Sequence, residues 1–365
     1  MLLLAIYSIF ILFIWVQIAY HLLFYKKITK PHINCKQNFS PSVSIVIALH
    51  NEEKHLKKLI SLLLAQQYPT FEIILVNDRS TDNSLSIIKF FDDERLQYIN
   101  IEKTPNQLSP KKYALTTGIT KAQHEWVLLT DADCYPASDR WIETMVAQIK
   151  EKTEIVIGVS PNKGSDVFSH QFIQYETFYT FLQYATATIM RKAYMGVGRN
   201  LMYKKTLFLK QGFKPYEKIL SGDDDLFVNL HATPINTEIS LSPNAYTYTY
   251  PKDDWKSYFK QKKRHNSVGR HYRISSKLYT GLFYFSFGLS FLGLGLLFYE
   301  QNLYFTISFL LMIIVKYATF IQISKRQYFS INIAYILLFD FMYFSYLASS
   351  TFRMVWKNEI EWGKK

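Results

Sequence analysis

The side chains in this chain best suited to chemistry are carboxylates, and they fall in two tight groups. Asp131-Ala132-Asp133 sets two of them one residue apart, at the end of the apolar run Glu125–Thr130. Negative charges held that close repel, and a divalent cation relieves the repulsion. Mg²⁺ or Mn²⁺ takes one or two protein carboxylates and completes its shell with phosphate oxygens and water, which neutralises charge on a leaving diphosphate. The competing reading is a solvated Asp pair ahead of a helix starting near Ser138. Gly222-Asp223-Asp224-Asp225 is the second group, followed by the apolar Leu226-Phe227-Val228. Repulsion in so dense a cluster raises at least one carboxyl pKa toward the range a general base needs. A helix N-terminus rich in Asp for the macrodipole would account for one or two of the three. A third feature, Gln261-Lys262-Lys263-Arg264-His265, is cationic. Gln261 and Arg264, at i and i+3, share a helix face that could support an anion, although a basic helix beside a membrane needs no catalytic duty.

Elements able to position these groups are legible around them. Val43–Ala48 reads as a fully buried strand, and Glu52–Gln66 as a helix with Leu56, Leu59, Ile60 and Leu63 on one face. The unit then repeats as strand Glu72–Asn77, helix Asp82–Phe91, strand Leu96–Ile101, helix Lys111–Lys121 and strand Glu125–Thr130. Such alternation predicts an α/β, Rossmann-like, mostly parallel sheet with helices on both faces, whose ligands gather beyond the carboxyl ends of the strands. Those ends carry His50-Asn51-Glu52, Asn77-Asp78-Arg79-Ser80 and Asp131-Ala132-Asp133. No G-x-G-x-x-G follows the first strand and no G-x-x-x-x-G-K-[ST] occurs, so neither a nicotinamide cofactor nor a P-loop nucleotide is indicated.

Outside 26–277 the chain is written for a different solvent. Stretches 2–25, 278–299, 303–323 and 329–350 hold two formally charged side chains, Lys316 and Asp340, and each has the ~20 apolar residues that a ~30 Å hydrocarbon core requires. A purely soluble protein is excluded, and Lys316 and Asp340 are expected to pair, because charges inside a membrane seldom stay alone. The net charge of +13 is concentrated in 256–277, which holds eight basic residues and no acidic one. Beside an apolar stretch, that segment reads as lying on anionic headgroups rather than on nucleic acid. Lys26, Lys27 and Lys30 assign the polar block to the cytoplasm by the positive-inside rule, which makes this a multi-pass protein of the inner (cytoplasmic) membrane. Arg353, Lys357, Lys364 and Lys365 run against that rule and leave 329–350 either spanning or re-entrant. Cys35 and Cys134 would then be reduced thiols with no disulfide between them. Phe168, Phe172, Tyr175, Phe178, Tyr179 and Leu182 form an aromatic face at helical spacing, which reads as core or as an interfacial helix.

Together these residues resemble the membrane-bound family 2 glycosyltransferases with the GT-A fold, over nearly all of 41–277. Ser44–Glu53 is similar to the family's opening strand and N-E-E turn, and Val76–Asp82 to its V-[DN]-D-x-S-x-D. The resemblance implies that Glu52 and Asp78 contact the nucleoside of a nucleotide-sugar donor. It implies that Lys111-Lys112-x-Ala114-Leu115 brings a lysine, assigned to Lys112, to the diphosphate. Thr130–Asp133 is similar to the metal motif, with Asp133 the principal ligand and Asp131 shared between metal and donor. Gly198–Tyr203 resembles an acceptor-side element, implicating Arg199 and Asn200. Ser221–Asn229 is similar to the G-D-D-x-x-L pattern of hyaluronan-synthase-like enzymes, which implies Asp224 as general base, whereas alignment to E-D-x-D-L moves the base to Asp223. Gln261-x-x-Arg264-His265 resembles the Q-x-x-R-W of hyaluronan/cellulose-synthase-like enzymes, with donor contacts from Gln261 and Arg264. His265 stands where the family has Trp, which tells against processive synthesis.

The expectation is therefore an N-terminal transmembrane helix (1–25), a GT-A domain (26–255), a basic interfacial segment (256–277), three further transmembrane helices (278–350) and a polar tail (351–365). Its activity would be inverting, metal-dependent sugar transfer to a lipid or glycan hydroxyl. The alternatives are a processive polysaccharide synthase and an inactive scaffold of a sugar-polymer assembly complex.

Overall fold

The computed structural model describes residues 2–30, 40–105, 108–297, 302–327 and 329–356; Cys35 lies outside them. The chain forms two compact units, one from His32–Lys163 and Ala187–Tyr272, the other from Met1–Pro31, Gly164–Thr186 and Arg273–Lys365. Residues 164–186 fall in the helical unit, and the basic segment up to Tyr272 falls in the sheet unit.

The helices and strands follow in chain order as α1 (Leu2–Ile28), β1 (Val43–Leu49), α2 (Glu53–Leu64), β2 (Phe71–Asp78), α3 (Ser84–Phe90), β3 (Leu96–Ile101), α4 (Pro110–Lys121) and β4 (Trp126–Leu129). Then come β5 (Cys134–Pro136), α5 (Trp141–Val146), β6 (Ile155–Ile157), α6 (Phe168–Ile189), β7 (Leu201–Lys204), α7 (Lys205–Gln211), α8 (Asp225–His231), β8 (Thr237–Ile239) and β9 (Thr247–Thr249). The last four are α9 (Trp255–Asn266), α10 (Ile274–Leu292), α11 (Leu303–Arg326) and α12 (Ile336–Trp356).

The sheet runs β3-β2-β1-β4-β7-β6-β8. Its first four strands are mutually parallel, with Val43 opposite both Phe71 and Trp126, while β7 pairs antiparallel with β4 and β6. Unbroken apolar runs suit β1, β2 and β4 because helices cover both faces of a parallel sheet. Leu56, Leu59, Ile60 and Leu63 of α2 pack with Trp141, Ile142 and Met145 of α5 in one buried core under those strands. Strand order reverses at β1, with β2 on one side and β4 on the other, and the crevice at such a point is where α/β sheets take ligands. A small second sheet, β5 with β9, follows the Asp131–Asp133 turn and pairs Cys134 with Thr249.

In the helical unit, three helices among the described residues are long and apolar enough to cross a membrane: Leu3–Ile28, Ile274–Gly295 and Leu303–Arg326. The fourth apolar stretch forms the helix Ile333–Ser349 among the described side chains, and its backbone continues helical to Trp356. Tyr7, Ile14 and Ile18 of α1 pack on Phe305 and Phe309 of α11. Gln17 Nε2 donates to the Phe283 carbonyl at 2.9 Å and to Ser286 Oγ at 2.7 Å, tying α1 to α10. The aromatic face of α6 is core here: Tyr175 meets Phe320 and Phe339, and Tyr179 meets Phe283, Phe320 and Tyr343, with ring centroids 5.1–6.1 Å apart.

Lys316 and Asp340 pair as expected, and the Tyr175 hydroxyl also donates to Asp340. Both charges are buried, and breaking a buried pair costs about 3–5 kcal/mol because the partner is left uncompensated. Lys316→Ala and Asp340→Ala are therefore each expected to lower the unfolding temperature of the detergent-solubilised protein, and Lys316→Asp with Asp340→Lys to recover part of the loss. A double swap no better than either single change would show that the pair does not couple α11 to α12.

Candidate active site

Two loops at the switch point are stitched together by short polar side chains. Asn51 and Arg79 take positive φ, 57° and 56°, at the ends of β1 and β2. Asn51 tolerates that conformation well; its side-chain oxygen accepts from Thr81 N–H at 2.8 Å, and its own N–H donates to Ser80 Oγ at 3.0 Å. Glu53 N–H donates to Asp82 at 3.0 Å, and Glu53 Oε2 accepts from Asn83 N–H at 3.0 Å, so each loop caps the helix of the other. The two strand-end motifs are thus one structure. Asp78 is buried, held by the Arg79 fork at 2.8 and 3.2 Å, and His50 Nδ1 donates to its carbonyl at 2.6 Å. Burial, and next the Asp133 carboxylate, pushes Glu52 up to about 7, so Glu52 belongs electrostatically to the Asp131–Asp133 turn.

The acidic groups meet through Lys111. Its ammonium lies 2.8 Å from Asp131 and 2.9 Å from Asp223, joining the turn after β4 to the turn before α8. Burial alone would lower the Lys111 pKa, but Asp131, Asp223 and Asp224 hold it well above the usual value. Asp223 likewise stays below the ordinary carboxylate range, because Lys111 outweighs the upward push of its own burial. Asp224 has no such partner. Burial and the adjacent Asp223 push it up to about 6. Its two oxygens accept from the N–H groups of Gly198 and Asp225, each at 2.7 Å, so the carboxyl is fixed in place as the N-cap of α8. Asp225, whose carboxylate accepts from the Tyr272 hydroxyl, is raised by burial and then by Asp224. Gly222, at φ 87°, makes the turn that sets these three carboxylates side by side, and a Cβ there would sit 2.8 Å from Leu226 and 3.1 Å from Val268.

Asp131, Asp133 and Cys134 each offer a ligand atom, all within 4.8 Å of one another. Two carboxylates suit a hard cation that draws its other ligands from phosphate and water. The buried thiol, raised by burial and then by Asp133, stays protonated and is a poor ligand for such an ion. Lys252 lies 3.5 Å from Asp133, so each carboxylate of the pair now faces an ammonium. The residues fit Mg²⁺ or Mn²⁺ bound through Asp131 and Asp133.

Two expected site residues are elsewhere engaged. Lys112 is buried, and its ammonium donates to the carbonyls of Tyr216, Ile219 and Ser221 at 2.7–2.9 Å. Consecutive helical residues point about 100° apart, so α4 sends Lys112 into the segment before the acidic turn and Lys111 to the carboxylates. Burial lowers Lys112 to about 8. Asn200 is fully buried; its amide donates to the Val159 and Ala245 carbonyls and accepts from Trp141 Nε1, which makes it a core fastener rather than an acceptor contact. Arg199 is half-buried and reaches the Ser160 carbonyl at 3.3 Å. Gln261 and Arg264 lie one turn apart on α9, both half-buried and in the same unit as the carboxylates, while His265 is exposed. Lys252, Tyr272 and the Gly198 N–H carried no sequence signal, since each lies 26 or more residues from the carboxylate it serves or beyond any helical spacing to it.

Gly198 supplies a test of placement. A Cβ on it would sit 3.1 Å from Asp224 Oδ2 and 3.3 Å from Asp224 Cβ. Gly198→Ala is expected to lower kcat about tenfold, with little change in thermal stability, because small displacements of a reacting group are costly.

Residues 44–211 match the family described as Glycosyl transferase family 2. A probable glycosyltransferase of Bacillus subtilis is 26% identical across 69% of this chain, and the match spans 63% of that protein's length. The Dolichyl N-acetyl-alpha-D-glucosaminyl phosphate 3-beta-D-2,3-diacetamido-2,3-dideoxy-beta-D-glucuronosyltransferase of Methanococcus voltae is 24% identical over 70% of this chain and 81% of its own. Among solved structures, a mannosyltransferase of Pyrobaculum calidifontis in complex with GDP-Man and Mn²⁺ superposes with a TM-score of 0.62, at 16% identity, covering 97% of this chain and 100% of that one. Residues 44–211, which include the parallel strands and their loops, are thus similar to a family 2 glycosyltransferase domain, on a fold of GT-A architecture shared with that mannosyltransferase.

Proposed function

We propose that the chain transfers a sugar, with inversion, from a nucleotide-sugar donor to a hydroxyl of a lipid or lipid-linked acceptor at the cytoplasmic face of a membrane. The observation that carries this reading is the Lys111 bridge, which makes Asp131–Asp133 and Asp223–Asp224 one site. A divalent cation held by Asp133 and Asp131 would neutralise charge on the diphosphate. Glu52 and Asp78 would receive the nucleoside, with Gln261, Arg264 and Lys111 offering cationic or hydrogen-bonding support to the departing diphosphate. Asp224 takes the proton of the acceptor hydroxyl as its oxygen bonds to the anomeric carbon, and the electron pair of the breaking bond leaves with the diphosphate. Asp223, kept ionised by Lys111, maintains the negative field that keeps Asp224 basic. Arg199 lies beside Gly198 and is the acceptor-side candidate.

A lipid-linked acceptor is supported by the name of the Methanococcus voltae relative and by the three apolar helices. Orientation is supported by Arg326, which donates to the Thr29 carbonyl, so the basic ends of α1 and α11 lie together. The test is to incubate membranes with a panel of radiolabelled nucleotide sugars and to partition the products. Label from one donor in the organic phase is the expected result. Label in an aqueous polymer would assign a processive synthase instead, and nucleotide-sugar binding without transfer would assign a scaffold.

A further inference from the structure

The helical unit contains a cavity of about 220 Å³, bounded by α1, α10, α11 and α12. Its walls are apolar, with Phe287, Phe309, Ile313 and Leu337 among them, and its floor carries His21, Lys316 and Asp340. Leu337 and Phe341 are 47% and 59% exposed, so the cavity opens along the outer face of α12. On helices of this composition that face meets lipid tails rather than water. An apolar cavity of ~150 Å³ already stays dry and takes a small hydrocarbon such as benzene; this one is larger and open to a hydrocarbon solvent. Aromatic side chains keep it from collapsing, as Phe287 is braced by Phe283 and Tyr343 and Phe309 by Phe305.

The floor supplies a second, independent observation. Lys316 and Asp340 satisfy each other and Tyr175 completes Asp340. His21 is different. Its side chain is buried, Nε2 lies 3.5 Å from the Tyr179 hydroxyl, and Nδ1 has no hydrogen-bond partner among the described residues. With Lys316 and Asp340, His21 ends the apolar lining in polar side chains, which bounds how far a hydrocarbon chain can enter.

We infer that this cavity is a binding site for the hydrocarbon chain of a membrane lipid, which enters beside Leu337 and Phe341 and ends over the floor formed by His21 and the Lys316–Asp340 pair. The walls reward a chain by removing it from less closely packed lipid, and the ion pair sets how deep it goes, because no methylene can replace either charge. The site does not depend on the glycosyl-transfer reading, since none of its residues belongs to the carboxylate site.

The test uses the full-length protein in nanodiscs with two probes, a phospholipid carrying a diazirine at the end of an acyl chain and a polyprenyl phosphate carrying one in its chain. Crosslinks are expected to concentrate on peptides containing Ile313 and Leu337, in excess over exposed faces such as Leu278 and Leu310, which are 68% and 53% exposed. The probe that yields the excess identifies the chain type. Ser290→Phe, which fills the interior, and Leu337→Trp, at the exposed mouth, should each remove the excess. If Ser290→Phe does not fold, Leu337→Trp decides. Labelling that follows exposure alone with both probes would overturn the site, as would an excess that survives Leu337→Trp at an unchanged unfolding temperature.

Discussion

Asp224→Asn is expected to lower kcat about a thousandfold while leaving the donor KM near its wild-type value, the pattern of a lost general base rather than lost binding. The side chain is isosteric, and its carbonyl oxygen can still accept from one of the two N–H groups that now hold the carboxylate, so the turn should survive. The pH profile supplies the sign. A base must be deprotonated to act, and Asp224 is pushed up to about 6 by burial and Asp223. Wild-type kcat should therefore hold above that value and fall as pH drops through it, and the Asn variant should lose this limb. Asp223→Asn distinguishes the alternative assignment. It removes the charge that raises Asp224 and releases one end of the Lys111 bridge, so the limb should move to lower pH with activity only partly reduced, whereas a catalytic Asp223 would give the thousandfold loss itself. An Asp224→Asn enzyme with full transfer activity would end the assignment.

Asp133→Asn carries the second large effect. Activity is expected to fall about a hundredfold or more, on the scale of the several kcal/mol that an electrophilic cation contributes to a leaving diphosphate. Mn²⁺ affinity, followed by electron paramagnetic resonance, should weaken in parallel. Stability should barely change, because Asp133 meets Lys252, itself 40% exposed, at 3.5 Å and otherwise accepts from the Cys134 thiol, a weak donor, at 3.4 Å. Asp131→Asn is predicted to be less selective: it also releases one end of the Lys111 bridge and so disturbs the acidic turn as well as the cation. Transfer undiminished after exhaustive chelation would remove the cation from the reaction.

Lys112 explains why local patterns mislead here. In sequence, two adjacent lysines are interchangeable. In the fold, one is consumed by three carbonyls of the segment 216–221 and the other bridges two carboxylate groups, a division set by the rotation of α4 against β1 and β2. Asn200 makes the same point from the other direction, since a polar side chain in a motif next to Arg199 turns out to fasten the core between Trp141 and Ala245.

The sequence by itself determined the alternation of strands and helices from Val43 to Thr130, since buried parallel strands and amphipathic helices are local patterns of apolar spacing. It also determined that the chemistry lies in carboxylates at strand ends, and that Lys316 and Asp340 must find each other, because charge in an apolar stretch has few alternatives. The tertiary structure alone decided which carboxylate is neutralised and which remains basic. Asp223 and Asp224 are neighbours with the same side chain, and they part only because Lys111, more than a hundred residues away in sequence, reaches one and not the other. It likewise decided that the aromatic face of α6 packs among apolar helices, because helical spacing defines a face but not what covers it.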